Sequence, residues 1–425
     1  STGAWPIGSS IFGPRDGGRT PSSSAWLVRC SSVVEPMGQA PVARPVRWKH
    51  SHDGMNSALD LRYGCSCMQG WRDYMEDFHF ALPTLGGEWS DTAAFAVLDG
   101  HGGREVACFC QQRLPKALSK SNRRAFFEEP VPLSGWGNGT PTGHTKQNAA
   151  DSHAAGKALV SAIESMDPLM MEESDYVKSL RILTGDARDS MVGASRVGCT
   201  CCMCLVQRHS IIMANVGDSR VVLCQNGLAV PLSVDHKPNL PIERERIMRA
   251  GGTVEQQEFH GHTIHRVNGN LNLSRSIGDL DYKRNPRLTA AEQVITSSPD
   301  LVEKPREKND EFLLIASDGI WDRISNQDAV DLVLERLAAG GSRLSAITEE
   351  LLDRCFSEDL SQTCGLGGDN MTAMLILLKA NEESPMSDMS FPNDGQELIQ
   401  DIPEKCYFWQ NSLLCTCVPT RGQSL

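Results

Sequence analysis

The sequence predicts an α+β fold in which antiparallel sheets are covered by outer helices. Short apolar runs of the kind that form buried strands occur at 94–98, 211–216, 220–224, 312–316 and 372–378. Two of these runs, 211–216 and 220–224, are separated by only a short turn, which favours antiparallel pairing. Strands and helices do not alternate in the regular rhythm of a parallel, doubly wound sheet.

Two segments carry the signals of helices. The segment 242–250 has Pro241 in its first turn and Gly251 directly after it. The segment 328–339 repeats apolar residues along one face and is followed by Gly340. We expect each of these glycines to end its helix.

The chain is long enough for a sizeable core with tails on both sides. It has 425 residues, which allows one large domain with insertions or two to three ordinary domains. Residues 1–55 are rich in Ser, Gly, Pro and Arg and predict a mobile N-terminal tail. A polar stretch at about 119–157 predicts a surface insertion, and 382–425 predicts a C-terminal tail. The folded domain is therefore expected to span 56–381.

Composition argues against several classes of protein. The 53 Asp and Glu against 41 Lys and Arg give a net charge of −12, which disfavours nucleic acid or an anionic membrane as the main partner. No apolar run reaches the length of a membrane span, and the sequence begins without a secretory signal pattern. We therefore expect the 15 cysteines to be reduced thiols in a cytoplasmic or nuclear protein.

Carboxylates beside glycines stand at the ends of four predicted strands. They are Asp99, Asp218, Asp318 and Asp369. Any one of them alone would be read as an ordinary turn residue. Brought together, they would repel one another and raise one another's pKa unless cations lay between them. Oxygen-only ligand sets suit hard divalent ions such as Mg²⁺ or Mn²⁺.

A further segment, GWRDYMED at 70–77, sets a guanidinium near carboxylates. If this segment is extended, Arg72, Tyr74 and Glu76 share one face. Taken alone, the pattern predicts a surface ion pair. Beside a carboxylate cluster, it predicts one residue for a metal ion and one for a phosphoryl oxygen.

These segments belong to a series of motifs that resembles the metal-dependent serine/threonine phosphatases of the type 2C family. The motifs, in chain order, are GWRDYMED, AVLDGHGG, ANVGDSR, DHKP followed by ERERIMRAGG, LNLSRSIGD, IASDGIWD and GGDNMT. They extend over about 70–378, and their shared order is highly specific. The resemblance implies two antiparallel β-sheets packed face to face and flanked by α-helices on both sides, a four-layer αββα sandwich with a dinuclear metal site at one edge.

The resemblance also implies the ligands of two Mg²⁺ or Mn²⁺ ions. These ligands are Glu76, Asp99, the carbonyl of Gly100, Asp318 and Asp369. Asp99 would bridge the two ions, and Asp218 and Asp322 resemble the pair that holds a weaker third ion in some members.

The remaining motif residues would act on the substrate. By resemblance, Arg72 binds the substrate phosphate and His101 is the general acid, while Asp77 and Asn370 lie outside the metal ligands. A metal-activated hydroxide would attack phosphorus directly, without a covalent enzyme intermediate. The predicted enzyme is a protein serine/threonine phosphatase that acts on phosphorylated proteins as a monomer.

One rival hypothesis is a cysteine-dependent phosphatase, which places Arg six positions after its nucleophile. Cys202 with Arg208 and Cys415 with Arg421 have this spacing. Neither segment has the glycines that would turn backbone amides toward a phosphate. The spacing is therefore read as coincidental.

Two further rivals are a cysteine-based metal or redox module and a pseudophosphatase. In an extended run, Cys199 and Cys201 face one way while Cys202 and Cys204 face the other, so they cannot share one tetrahedral ion. A pseudophosphatase would use the same fold as a binding platform and would show lost metal ligands. Every ligand position implied by the resemblance is filled.

Overall fold

The computed structural model describes residues 44–126, 143–172, 196–259, 262–341 and 343–378. Within these ranges the chain forms two large antiparallel sheets, a short three-stranded sheet, a hairpin and seven α-helices. No helix in the described ranges is long and apolar enough to cross a lipid bilayer. The predicted C-terminal tail at 382–425 lies outside the described residues.

The first large sheet has six strands with antiparallel neighbours. In spatial order they are β1 (Val46–Asn56), β2 (Leu61–Gly70), β16 (Met371–Leu377), β15 (Asp310–Ala316), β9 (Arg220–Gln225) and β10 (Leu228–Pro231). Strand β1 corrects the prediction of a tail that ends at about 55, because residues from Val46 onward pair with β2. Most β1 side chains are exposed, so the strand lacks the apolar pattern by which a sequence reveals one.

The second large sheet has five antiparallel strands. In spatial order they are β14 (Asp300–Pro305), β8 (Ser210–Val216), β7 (Cys201–Val206), β4 (Ala93–Leu98) and β3 (Phe78–Leu82). The short sheet has the order β13 (Ile277–Gly278), β6 (Gly198–Cys199) and β5 (Gly100–His101), and the hairpin pairs β11 (Val254–Phe259) with β12 (His262–Val267).

Helices cover the outer faces of both large sheets. Their bounds are α1 (Glu105–Lys120), α2 (Gly143–Glu164), α3 (Met166–Met171), α4 (Pro241–Arg249), α5 (Asp318–Trp321), α6 (Asn326–Ala338) and α7 (Leu344–Cys355). In the described ranges, 3₁₀ turns lie at Arg123–Phe126, Leu280–Tyr282 and Ala290–Glu292.

Three apolar clusters hold four layers together. Phe109 of α1 packs with Met203 on the outer face of the second sheet. Phe95 of the second sheet and Leu313 of the first belong to the cluster between the two sheets. Leu314, which points the opposite way from Leu313 because strand side chains alternate, joins the cluster under α6 and α7. The predicted αββα sandwich is thereby confirmed.

The predicted elements are present, with one difference in the region of the insertion. All five predicted strands occur as β4, β8, β9, β15 and β16, and the two predicted helices occur as α4 and α6. Where the sequence predicted a surface insertion up to about 157, α2 begins at Gly143. Its contacts with the second sheet include the small side chains of Ala155 and Ala158, which do not form a recognisable apolar run in the sequence.

A buried charge network fastens α4 to the chain before β13. Glu243 is 2% exposed and accepts hydrogen bonds from Arg275, Arg246 and Ser274, the shortest three at 2.6 Å. Arg275 also donates to Asp300 at 2.8 Å. Burial raises the pKa of Glu243, but the hydrogen bonds and charges of the arginines outweigh it and lower the pKa to about 2.

We expect Glu243→Gln to lower the free energy of unfolding at pH 7 by about 3 kcal/mol, because two buried guanidinium groups lose their carboxylate. The ordinary pKa of Glu243 is 4.5 and its folded-state pKa is about 2. Its contribution is therefore complete above about pH 4.5 and is lost as the pH falls toward 2. Urea unfolding at a series of pH values should show that the difference in free energy of unfolding between wild type and variant becomes smaller below pH 4.5.

The control is Glu245→Gln, an exposed carboxylate on the same helix that pairs with Arg249. Its expected effect is at most about 0.5 kcal/mol at any pH. If the free energy of unfolding lost in Glu243→Gln stayed constant between pH 7 and pH 3, ionised Glu243 would not be the group that stabilises the network.

Candidate active site

Four carboxylates meet at one edge of the two large sheets. Asp99 follows β4, Asp218 follows β8, Asp318 follows β15, and Asp369 stands two residues before β16. The charges of Asp218, Asp318 and Asp369 all act on Asp99, so these side chains lie within electrostatic range of it. The fold thus brings together the strand-end acids that the sequence singled out.

Burial and mutual repulsion act on this carboxylate cluster. Burial, followed by the charges of Asp77 and Asp318, raises the pKa of Asp99 well above its ordinary value. Burial, followed by the charges of Asp218 and Asp322, does the same to the pKa of Asp318. At neutral pH such a cluster is stable in its ionised form only when positive charge lies close to it.

Asp77 lies beside the cluster with one of its two oxygens unpaired. Ser317 and Thr372 donate hydroxyl hydrogen bonds to Oδ2 of Asp77 at 2.9 and 2.8 Å. Its buried Oδ1 has no hydrogen-bond donor within reach among the described residues. Burial is the main cause that raises the pKa of Asp77 to about 6. A hydrated cation would satisfy this oxygen, which otherwise carries a desolvation cost.

Asn370 fixes the loop that carries Glu76. Its Oδ1 accepts a hydrogen bond from the Glu76 N–H at 2.7 Å, and its Nδ2 donates to the carbonyls of Gln69 and Tyr74. The nearest atom to a Cβ built on Gly100 would be the Glu76 carbonyl oxygen, at 2.5 Å. A glycine there is what allows β5 to approach the loop so closely.

Arg72 reaches the cluster from the same loop. Its Nη2 lies 2.5 Å from Oδ2 of Asp369, and the charges of Asp318 and Asp99 also act on it. Burial lowers the pKa of Arg72, but these carboxylates raise it further, so it stays charged. The expected extended face of Arg72, Tyr74 and Glu76 is wrong, because residues 71–74 form a turn and bends and no strand begins before Phe78. Hydrogen bonds to the 368–370 segment hold the loop instead.

A lysine that the sequence analysis did not single out pairs with the cluster. Lys237 Nζ lies 2.5 Å from Oδ2 of Asp218, which is 2% exposed. Burial lowers the pKa of Lys237, but the charges of Asp218, Asp318 and Asp322 raise it well above its ordinary value. Asp322 itself is exposed. The DHKP motif therefore supplies one built-in positive charge to the carboxylates.

His101 forms a dyad with a buried aspartate. Its Nε2 lies 2.7 Å from Oδ2 of Asp279, which is fully buried and also accepts a hydrogen bond from Ser276 at 2.6 Å. Burial lowers the pKa of His101, but the charge and hydrogen bond of Asp279 outweigh it and raise that pKa. The dyad therefore favours the protonated imidazole.

The short three-stranded sheet creates this dyad. Gly198 of β6 pairs with His101 of β5 on one side and with Gly278 of β13 on the other. A Cβ on Gly198 would stand 2.3 Å from Oδ2 of Asp279 and 2.5 Å from Nε2 of His101. Only a glycine at this position leaves room for the two side chains to meet.

The thiols are packed in the core. Cys199 and Cys201 join the cluster under α1 and α2, while Cys202 and Cys204 join the cluster between the sheets. The predicted opposite facing of these pairs is confirmed. Burial raises the pKa of Cys202 well above its ordinary value, so this thiol does not suit a phosphatase nucleophile. The second candidate pair, Cys415 and Arg421, lies outside the described residues.

The described donor set fits hard divalent cations. It consists of carboxylate and carbonyl oxygens, with one unpaired buried oxygen on Asp77 and raised pKa values on Asp99 and Asp318. Oxygen ligands of this kind select Mg²⁺ or Mn²⁺ over softer metals.

Sequence reasoning gave no role to several residues that support the site. They are Lys237, Asp279, Gly198, Ser317 and Thr372. Lys237, Asp279, Ser317 and Thr372 all lie within the motifs quoted above, but the motifs alone assigned them no role. Gly198 lies outside those motifs, and its role depends on the pairing of β6 with β5 and β13.

Comparison with known proteins identifies the family of this site. Residues 61–363 match the family model "Protein phosphatase 2C". The chain is 35% identical to "Probable protein phosphatase 2C 11" of Oryza sativa subsp. japonica over 376 residues, covering 85% of this chain and 96% of that protein. It is 38% identical to "Protein phosphatase 2C homolog 2" of Schizosaccharomyces pombe, covering 80% of this chain and 78% of that protein.

Solved structures share the fold. The crystal structure of serine-threonine phosphatase 2C from Toxoplasma gondii aligns with a TM-score of 0.56 at 21% sequence identity. The alignment covers 80% of this chain and 98% of that one. The likeness extends over most of the αββα sandwich.

We expect Asp99→Asn to stabilise the metal-free protein while removing its response to divalent cations. The substitution relieves repulsion in the cluster, and each unit by which a pKa is raised corresponds to ~1.4 kcal/mol. Thermal unfolding with EDTA should therefore give a higher Tm for Asp99→Asn than for wild type. Added Mg²⁺ should raise the Tm of wild type, since a ligand that binds only the folded state stabilises it, and should leave the variant nearly unchanged.

Asp331→Asn, an exposed carboxylate on α6, is the matched control and should behave as wild type in both conditions. Equal Mg²⁺ responses in all three proteins would contradict a cation site at Asp99.

Proposed function

The chain belongs to the protein phosphatase 2C family and is a protein serine/threonine phosphatase, and we propose that its carboxylate cluster is a dinuclear Mg²⁺ or Mn²⁺ centre that hydrolyses phosphoserine and phosphothreonine. The observation that carries this proposal is the convergence of Asp99, Asp318 and Asp369 with the unpaired oxygen of Asp77. Phosphorylated proteins are the substrates.

In the proposed centre, the residues divide between two ions. Asp99 would contribute to both ligand sets, Asp318 and Asp369 would complete the first, and Glu76 with the carbonyl of Gly100 would form the second. When bound, such ions lower the pKa of a water between them and neutralise charge on the phosphate oxygens. Asp77, held by Ser317 and Thr372, orients water at the centre through its free oxygen.

Arg72 binds the substrate phosphate. Its guanidinium is already directed toward the cluster by Asp369, so little side-chain entropy is lost when the substrate arrives. A guanidinium donates two parallel hydrogen bonds to phosphate oxygens, and it stabilises the negative charge that they carry in the transition state. Asn370 supports this role, because it fixes the loop between Gln69 and Glu76.

His101 protonates the leaving oxygen, and Asp279 positions it. With Nε2 directed at Asp279, the Nδ1 N–H of the protonated ring remains for the substrate. A serine or threonine alkoxide is a poor leaving group, so transfer of this proton lowers the barrier. Asp279 keeps the imidazole charged until the proton leaves and fixes the plane of the ring.

A third, weaker ion at Asp218 and Asp322 is a further part of the proposal. Lys237 already pairs with Asp218 at 2.5 Å, so a third ion must displace the ammonium group. We therefore propose that this position is the weakest of the three.

The proposal is tested by phosphate release from a phosphothreonine peptide. The full-length protein is stripped of metal and assayed with Mn²⁺ or Mg²⁺ added back, with EDTA, and after thiol alkylation. We expect activity that needs the ion and survives alkylation, because the catalytic groups are oxygens and an imidazole. Activity that ignores EDTA and is lost on alkylation would overturn the metal mechanism, and inactivity in every arm would favour a pseudophosphatase.

A second test separates the general acid from the metal centre by the leaving group. We expect His101→Gln to lower kcat for the phosphothreonine peptide by about 10²-fold or more, the usual size of a general-acid contribution. Hydrolysis of p-nitrophenyl phosphate should change little, because nitrophenolate leaves without a proton. Asp279→Asn should show the same substrate dependence with a smaller loss.

Asp281→Asn is the matched control for Asp279→Asn. Asp281 lies two residues further on and pairs with Arg196 and Arg284, so its loss should not alter the ratio between the two substrates. Equal losses on both substrates in His101→Gln would mean that His101 does not supply the leaving-group proton.

A further inference from the structure

A second group of ligand-type side chains lies on strands β1, β2 and β3. It consists of His52, Cys65 and His79, and we call it the His/Cys cluster. One ligand atom from each residue, an imidazole nitrogen or the sulfur, lies within 4.8 Å of the others. None of the roles described above uses these three residues.

Strand register explains why they meet. His52 and Cys65 are direct partners in the antiparallel pairing of β1 with β2, so their side chains share a face. Cys65 belongs to the cluster between the two large sheets. On β3, Phe78 and Phe80 face the helices, and the alternation of side chains therefore turns His79 toward the first sheet.

The position lets an ion enter without opening the core. Strands β1 and β3 are edge strands of their sheets. Cys65 is fully buried, His79 is partly buried, and His52 is exposed. An ion here would contact the interior of the sandwich through Cys65 and would face solvent beside His52. A water could therefore fill the fourth position of a tetrahedral site.

The two imidazoles are arranged as neutral rings. They stack with centroids 5.3 Å apart and planes 11° from parallel, which two charged rings would not tolerate. Burial and the nearby histidines lower the pKa of His79 to about 3, and burial lowers the pKa of His52. Neutral imidazole is the form that binds metals.

Packing alone leaves these rings without polar partners. Over the described ranges, neither imidazole of the His/Cys cluster makes a side-chain hydrogen bond; the hydrogen bond from Gln111 to His79 is accepted by the backbone carbonyl of His79. A buried thiol is an ordinary core residue, but a thiol between two unpaired neutral imidazoles is a ligand set. Nitrogen and sulfur ligands select Zn²⁺ and related ions, whereas Mg²⁺ prefers the carboxylate cluster.

We propose that His52, Cys65 and His79 bind one Zn²⁺-class ion, which links the edge strands of the two sheets. The Cys65 thiol loses its proton to solvent as the sulfur–metal bond forms, and the imidazoles bind without releasing protons. Binding of one divalent ion thus releases one proton and raises the net charge of the site by one, and no oxidant or reductant takes part.

Cobalt(II) is the probe, because a cobalt–thiolate bond absorbs in the near ultraviolet and oxygen-ligated cobalt does not. The full-length protein is stripped of metal, supplied with excess Mg²⁺ to occupy the carboxylate cluster, and titrated with Co²⁺. We expect a saturable thiolate band at one equivalent that Zn²⁺ removes by competition. Phosphate release with Mg²⁺ is measured on the same samples, so failure of this proposal is distinguishable from failure of the catalytic one.

Three variants assign the band. Cys65→Ser should abolish it, and His52→Gln, at an exposed position that does not threaten folding, should weaken Co²⁺ binding at least about tenfold. Cys204→Ser is the matched control, since Cys204 is equally buried between the sheets and should leave the band unchanged. A band that is missing in wild type would overturn the site, and a band that is equal in all variants would indicate an adventitious ion only.

Discussion

The need to neutralise carboxylates that the fold holds together at low dielectric governs the site. Asp99 and Asp318 have strongly raised pKa values because burial and like charges both oppose their ionisation. Arg72 and Lys237 supply two positive charges, each at 2.5 Å from one aspartate. These two side-chain charges cannot balance the five acids at 77, 99, 218, 318 and 369, so the remaining negative charge is what the proposed divalent ions would neutralise.

Uncharged side chains hold the charged groups of the site in position through hydrogen bonds. Asn370 ties three backbone positions of the 69–76 loop together, and Thr372, two residues later on β16, holds Asp77. Because both come from the same strand end as Asp369, one short segment sets the positions of a carboxylate, of Asp77 and of the loop that we propose binds phosphate. A register shift of one residue in β16 would turn all of these side chains away at once.

The sequence predicts some parts of this site and not others. The parts it predicts are those whose residues are neighbours in the chain, and the parts it misses depend on residues that only the fold brings together. Asp99, Asp218, Asp318 and Asp369 are visible because an apolar strand, an acid and a glycine are neighbours in the chain. The pairing of His101 with Asp279 is not visible, since it depends on Gly198 lying between them in a sheet of three two-residue strands. Strand β1 and the start of α2 were missed for a related reason, because polar and small residues form them.

The His/Cys cluster is connected to the carboxylate cluster through strand β3. His79 lies on β3, two residues after Asp77 in the chain, and β3 begins directly after Asp77. An ion that joins His79 to His52 and Cys65 would restrain the strand that starts beside the carboxylate cluster, without contributing a ligand to it. The two sites would not compete for metal, because oxygen ligands and nitrogen–sulfur ligands select different ions. A softer ion would then stiffen the edge of the sandwich, while ions bound by the carboxylate cluster would remain free to exchange with solvent.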